Sequence, residues 1–448
     1  MKVVRAISLA AALAVACAAP VWANVYASGF VKISDSSLSY ILNENADAGV
    51  QVQVWQMGGG MVYSENLGPQ TKGTHSWTWN GAGGAWGNSY KVKVVAGGSG
   101  YGGWTQISTD GTSTSFYVPL GVSVNTMQSS PNFGRIYVSN ATAGTTAFGR
   151  PTQDGIYILT PDYQDAGFTT GGADWTGSSG PFKSVIGPEG HLYVTNLSTD
   201  TAWEFNDDLS VATALNDASN RTANQWVAGI WVSGTGDDRK IYLVNSNYND
   251  TARKGLIEYN IGTAARIAVG DTGTQYIGPT YFAFYGYDVA RDSAGDWYMQ
   301  QFRYNAAEAP AITKFLDDPG NLPINTAAWE TPKAAPYNGS CGIDIYEPFG
   351  WVAYGNYYDG FVHIFNMADG SYVGGFDAGT RTREVAFDAA GNIITVDNMT
   401  EWMRVWSPAG ANSFTSESWF AFDVVPEPSS FAALLVALPG LALLRRRR

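Results

Sequence analysis

Six amide or carboxylate side chains recur at one position of a repeated line: Asn140, Asn196, Asn245, Gln301, Asn356 and Asp397. Gathered at one mouth of a channel, such groups would hydrogen-bond a glycan or take a cation. The same residue types also close strand-to-strand turns by bonding their own backbone. His75, His191 and His363 fall on different segments with no H-x-H or H-E-x-x-H spacing, so no zinc site is expected. The acidic pairs Asp207-Asp208, Asp237-Asp238 and Asp317-Asp318 offer the oxygens that Ca²⁺ favours, but none has the twelve-residue calcium-loop spacing. They read as solvated turns, and no metal or other cofactor is expected. No serine occupies a Gly-x-Ser-x-Gly elbow, and Cys341 has no flanking nucleophile signature. Paired carboxylates support glycoside or lyase chemistry only where the fold brings two together. No catalytic residue is assigned, and the expectation is a protein that is not an enzyme. Two aromatic runs, Tyr281 to Tyr287 and Tyr354 to Tyr358, are rich enough in rings to stack on sugars or to fill a core between sheets.

These residues need a scaffold, and composition narrows it. The 448-residue chain is 45% apolar, 14% aromatic and only 15% charged, with 52 glycines. That balance favours many short strands and tight turns over charged helices. A net charge of −13 argues against a nucleic-acid partner.

The repeated line starts at Gly134, Gly190, Arg239, Gly295, Gly350 and Gly391, at intervals of 56, 49, 56, 55 and 41 residues. Each copy carries an apolar core strand, such as Ile136-Tyr137-Val138 or Leu192-Tyr193-Val194. Each is preceded by one short strand, for example Lys183-Ser184-Val185-Ile186 or Glu384-Val385-Ala386-Phe387, and followed by another, for example Val362-His363-Ile364-Phe365. Units of this length with three or four strands match propeller blades. The expectation for 113–425 is a β-propeller of six blades, or alternatively seven, with 113–118 or 419–422 completing the sheet at the seam. The line Gly-x-[Ile/Leu]-Tyr-Val-x-Asn is similar to that of NHL-type and related extracellular propellers.

Residues 24–100 alternate with period two, as in Val50-Gln51-Val52-Gln53-Val54 and Tyr90-Lys91-Val92-Lys93-Val94, and the Asn80-Gly81 turn interrupts them. An antiparallel β-sandwich is expected. The order of parts, from Leu38-Ser39-Tyr40 through Gly73-Thr74-His75-Ser76-Trp77-Thr78-Trp79-Asn80-Gly81 to Ala96, resembles the Ig-like domain of the flagellar hook-capping protein family. That resemblance implies a structural or interaction module.

The two ends read as addresses. Lys2 and Arg5, a following apolar run and Val21-Trp22-Ala23 make 1–23 a secretory signal, with cleavage between Ala23 and Asn24. With Cys17 inside that segment, no disulfide is expected within the body. At the other end Pro426, Glu427 and Pro428 precede a mostly apolar segment, 431–444, and the cluster Arg445, Arg446, Arg447 and Arg448. Four terminal arginines favour the cytoplasmic side of a bilayer. The whole of 426–448 resembles the PEP-CTERM sorting signal of Gram-negative bacteria that make exopolysaccharide. The resemblance implies a transmembrane sorting helix held briefly in the inner membrane, then release by an exosortase after export through the Sec translocon.

Together these readings describe an all-β protein: a small Ig-like β-sandwich, then a propeller, then a C-terminal hydrophobic sorting helix. The expected role is a non-enzymatic cell-surface or extracellular-matrix protein associated with polysaccharide. Two alternatives are a secreted propeller enzyme of polysaccharide-lyase, hydrolase or lactonase type, and an adhesin that binds a protein partner.

Overall fold

The computed structural model describes residues 25–423 except 86, 223, 248, 282–284 and 303–308. The signal segment, Ala23 and Asn24, and the tail with Pro426, Glu427, Pro428 and Arg445 to Arg448 lie outside the described residues. Among the described residues the elements are strands and three-residue 3-10 turns, and no helix is long and apolar enough to cross a membrane.

The period-two segments form two facing sheets. In one, Ala27–Lys32, Ser37–Leu42 and Gly73–Thr78 lie in that order. In the other, Ala46–Gln56 pairs with Met61–Gln70 on one side and with Ser89–Tyr101 on the other. Val52 stands opposite Val94 and Val54 opposite Val92. All four valines are buried with Leu38, Tyr40 and Trp77, while the intervening glutamines stay at the surface of the sheet. The sandwich is completed from the far end of the chain. Gly410–Glu417 pairs along Ser89–Tyr101, and Phe422 stands opposite Tyr90.

Among the described residues six four-stranded antiparallel sheets make up the rest, with a two-stranded ribbon of Gly144–Thr145 and Pro151–Thr152. Their first strands are Pro119–Val124, Ser184–Ile186, Val227–Ser233, Tyr285–Arg291, Ser340–Tyr346 and Thr382–Phe387. Each first strand contacts the next, and the sixth contacts the first, so the sheets close a ring: a β-propeller. The repeated line supplies the second strand of every sheet, for example Ile136–Asn140 and Leu192–Asn196. Its period sends alternate side chains to the two neighbouring sheets. Ile136 and Val138 pack with Ile394 and Val396 of the sixth sheet, whereas Tyr137 packs with Leu192 and Val194 of the second. Tyr193, Tyr242 and Tyr298 repeat that pattern around the ring and are each at most 1% exposed. A single sheet of this kind leaves two apolar faces wet, and only closure covers both.

The seam differs from the sequence expectation. Neither 113–118 nor 419–422 completes the sixth sheet. Thr105–Gln106 does, with Gln106 opposite Trp406 and Thr105 opposite Ser407. Ser115 adds only an isolated bridge to Trp402. Arg404 fixes the join through a forked pair with Asp110, at 3.0 Å from Nε and 2.6 Å from the terminal nitrogen. The propeller sheets therefore begin at Thr105 rather than 113 and end at Ser407 rather than 425, and the 410–423 strands belong to the sandwich.

The sandwich rests on one face of the ring. Phe133 and Ala390, from turns that link first to second strands, join the sandwich core. Tyr26 packs against Phe133 and Phe414, and the Gly29 amide donates to the Phe133 carbonyl. The opposite face carries the starts of the first strands and the ends of the second strands.

Candidate functional site

The first strands surround an axial cavity of about 690 Å³ that opens towards the sandwich, whose Phe414 lines it. Apolar side chains such as Val122, Ile230 and Val289 share its wall with Asp288, Asp344 and Glu384. Bulges place these acids. Pairing slips between Gly286 and Asp288, between Cys341 and Ile343, and between Thr382 and Glu384. A bulge turns a side chain out of the strand's alternation, and here it brings charged residues of otherwise apolar strands to the axis. Gly342, at φ 80°, is needed in this arrangement because a side-chain carbon there would fall on the Glu384 carboxylate.

The acids are tied down by backbone and by one cation. Asp288 accepts from the amides of Val289 at 2.9 Å and Ile343 at 3.2 Å. Asp344 accepts from those of Ile345 at 2.8 Å and Phe387 at 2.7 Å, so each carboxylate links one first strand to the next. Lys183 comes from the second sheet. It donates to the Glu384 carboxylate at 2.5 Å and to the Arg383 carbonyl at 2.8 Å. Both partners of this pair are buried, with side chains 1% and 4% exposed. Burial opposes the charged form of Lys183, but Glu384 outweighs it and the ammonium is held above its ordinary value. Burial raises Asp288 and pushes Asp344 up to about 7. A carboxyl at that value exchanges its proton near neutrality and has the acidity required of a general acid or base. Among the described residues no group of three or more His, Cys, Asp and Glu side chains is placed to hold a metal ion.

None of the six recurrent polar residues lines this cavity. The Asn140 amide accepts from the Val118 amide and donates to the carbonyls of Thr142 and Gln153. Asn196 bonds the backbone of Ser198, Thr199 and Asp174. Asn245 takes the Trp226 and Asn247 amides and donates to Asp250. Asn356 joins the Tyr358 amide to the Pro336 carbonyl. Asp397 accepts the amides of Thr380, Arg381, Met399 and Thr400. These five side chains close turns, as their residue types allow. Gln301 is buried like them, but its amide has no hydrogen-bond partner among the described residues. The acidic pairs also serve locally. Asp208 holds Ser210, and Asp317 takes the Tyr276 hydroxyl and Arg291. His191 bonds Glu204 at 2.8 Å, and His363 lies buried with burial lowering it to about 4.

The axial residues were present in the sequence as charges interrupting apolar first strands, at Lys183, Asp288, Asp344 and Glu384. Only the bulges show that they converge.

No protein-family model matches the chain, and no curated protein matches it. Solved structures are similar in fold. A Bacteroides thetaiotaomicron protein of unknown function is 10% identical with a TM-score of 0.45, over 86% of this chain and 98% of that one. A Xanthomonas campestris gluconolactonase is 12% identical with a TM-score of 0.44, over 72% and 90%. A Staphylococcus aureus virginiamycin B lyase is 11% identical with a TM-score of 0.36, over 70% and 98%. Against the expectation of a chain that is not an enzyme, most of these similar structures are enzymes, a luciferin-regenerating enzyme and a glucose dehydrogenase included. At about 10% identity the likeness is one of fold.

Two predictions follow from the axis and its surroundings. Lys183→Met leaves a buried carboxylate without its cation and should cost about 3–5 kcal/mol of unfolding free energy at neutral pH, read by denaturant titration. Lys183→Met with Glu384→Gln should recover most of that loss, and an unchanged single variant would show that the pair carries no stability. The second concerns pH. Burial, with neighbouring acids, raises Glu44 to about 8, and burial raises Asp344 and Asp388 to about 7. Their unfolded values lie near ~4. Groups raised in the folded state add stability as they take up protons, so unfolding free energy should increase as pH falls from about 8.5 to about 6.5. Calorimetry showing the opposite slope would contradict the assigned burial.

Proposed function

We propose that this chain is an exported protein of the bacterial cell surface or extracellular matrix, with its propeller acting as a binding scaffold in a polysaccharide layer. In this reading residues 1–23 direct export through the Sec translocon. Residues 426–448 pause the chain in the inner membrane until an exosortase releases it near Pro426, Glu427 and Pro428. The six sheets are the six blades of an NHL-like propeller, and the two-sheet module is an Ig-like spacer.

One observation supports this reading above the others. The first described strand, Ala27–Lys32, and the last, Phe422–Asp423, both belong to the sandwich. A signal at one end and a membrane segment at the other would both depart from that module. The propeller face farthest from it would stay clear of the membrane while the tail is still attached.

Deletion of 426–448 tests the proposal. The full chain should pass through the inner-membrane fraction and accumulate at the surface or in the matrix, while the truncated chain should appear in the periplasm. Identical fractionation of the two would remove the sorting role.

A further inference from the structure

On the face opposite the sandwich, a second cavity of about 290 Å³ lies where the second, third and fourth sheets meet. Trp226, Tyr285 and Tyr287 line it together with Ser198, Asp200 and Ser246. The rings of Trp226 and Tyr285 are within 9° of parallel at 6.1 Å, and those of Tyr285 and Tyr287 within 22° at 5.8 Å. Trp226 is 38% exposed, so a large apolar ring stands at the rim.

The polar groups have a distinct character. The Ser246 hydroxyl is buried, with the residue 1% exposed, and it has no hydrogen-bond partner among the described residues. A buried hydroxyl left unpaired costs free energy, so an orphan lining a cavity marks a place where a ligand or a water completes the bonding. The Ser198 oxygen accepts from the Ser179 amide at 3.0 Å, which leaves its proton to donate. Asp200 sits at φ 55°, where its carboxylate accepts from the Val227 amide at 3.2 Å and pairs with Arg221 at 2.5 Å. With its charge matched by Arg221, Asp200 offers acceptor lone pairs without selecting a cation, and it disfavours an anion.

From this arrangement we propose that the cavity is a subsite for one neutral pyranose unit of a polysaccharide. The C–H face of the sugar lies on the aromatic wall, and its hydroxyls bond Ser246, Ser198 and Asp200. Neutral hydroxyls meet a hydroxyl that needs a partner, a free hydroxyl proton and a compensated carboxylate, and the volume suits a single ring near the lower end of ligand pockets. The proposal rests on the reading of the chain as a polysaccharide-associated protein and names the place on the propeller where contact occurs.

The test uses the purified full chain, titrated by saturation-transfer NMR and calorimetry with neutral methyl hexopyranosides and their trisaccharides, and with adenosine as a planar control. At least one sugar should bind and adenosine should not. Trp226→Ala should weaken the sugar about tenfold, Ser246→Ala about fivefold, and Trp419→Ala, on the sandwich, should leave it unchanged. Both pocket variants should melt within a few degrees of the parent. Absence of sugar binding, binding untouched by both pocket variants, or binding of adenosine alone would overturn the subsite. None of these outcomes depends on where the tail sends the protein, so the sorting role stands or falls separately.

Discussion

Strands that are apolar on both faces have to be covered on both faces. In the first three copies the repeated line puts Ile, Leu or Val towards one neighbouring sheet and Tyr towards the other, and the later copies keep the alternation with Trp297 and Met299 on one side and Tyr298 on the other, so no sheet can be an end. The ring follows from that requirement, and so does the need to close it without leaving an edge strand open to pairing with other chains. Closure is reciprocal. The segment before the first sheet supplies the outer strand of the sixth, and the segment after the sixth supplies an edge strand to the sandwich. The ring closes on the segment that joins it to the sandwich, and the sandwich holds a strand from beyond the ring; the two share Phe133, Ala390 and Phe414 along their contact.

A closed ring leaves an axis, and the axis is where this fold tolerates charge. Bulged first strands send Asp288 and Glu384 inward, and Lys183 meets Glu384 from another sheet. The pair is almost dry, so its net contribution to stability is small even though removal of either partner alone is costly. The physical gain is positional, because the cross-axis bonds tie the second sheet to the sixth at one level. The cavity beyond them faces the sandwich, whereas the Trp226 pocket faces away from it. The two faces of the propeller thus differ in chemistry: carboxyls of raised pKa on one side, aromatic rings and hydroxyls on the other.

Most of the architecture is legible in the sequence because burial on two faces leaves a periodic trace. The second strands, from Ile136–Asn140 to Ile393–Asp397, and the strands that follow them stand where the repeat places them. The seam left no such trace. Thr105–Gln106 is two residues long with no apolar pattern, and Gly410–Glu417 is a largely polar edge strand, which reads as a linker. The recurrent Asn residues were legible as a set but ambiguous in role, since a turn-closing amide and a ligand-binding amide look alike until their partners are known. Ser246 and Asp200 gave no signal, because their significance lies in sheets that meet only after closure.

The reciprocal closure can be measured by disulfide trapping. Val95 and Thr415 are opposite each other in the sandwich, 320 residues apart in sequence, and neither side chain is part of the buried core. The chain carrying Val95→Cys and Thr415→Cys should oxidise to a single cross-linked species of altered mobility, with Cys341 remaining buried and unreacted. Failure of that pair to cross-link in the folded protein would mean that the far end of the chain does not complete the sandwich, and the interlocked account would be wrong.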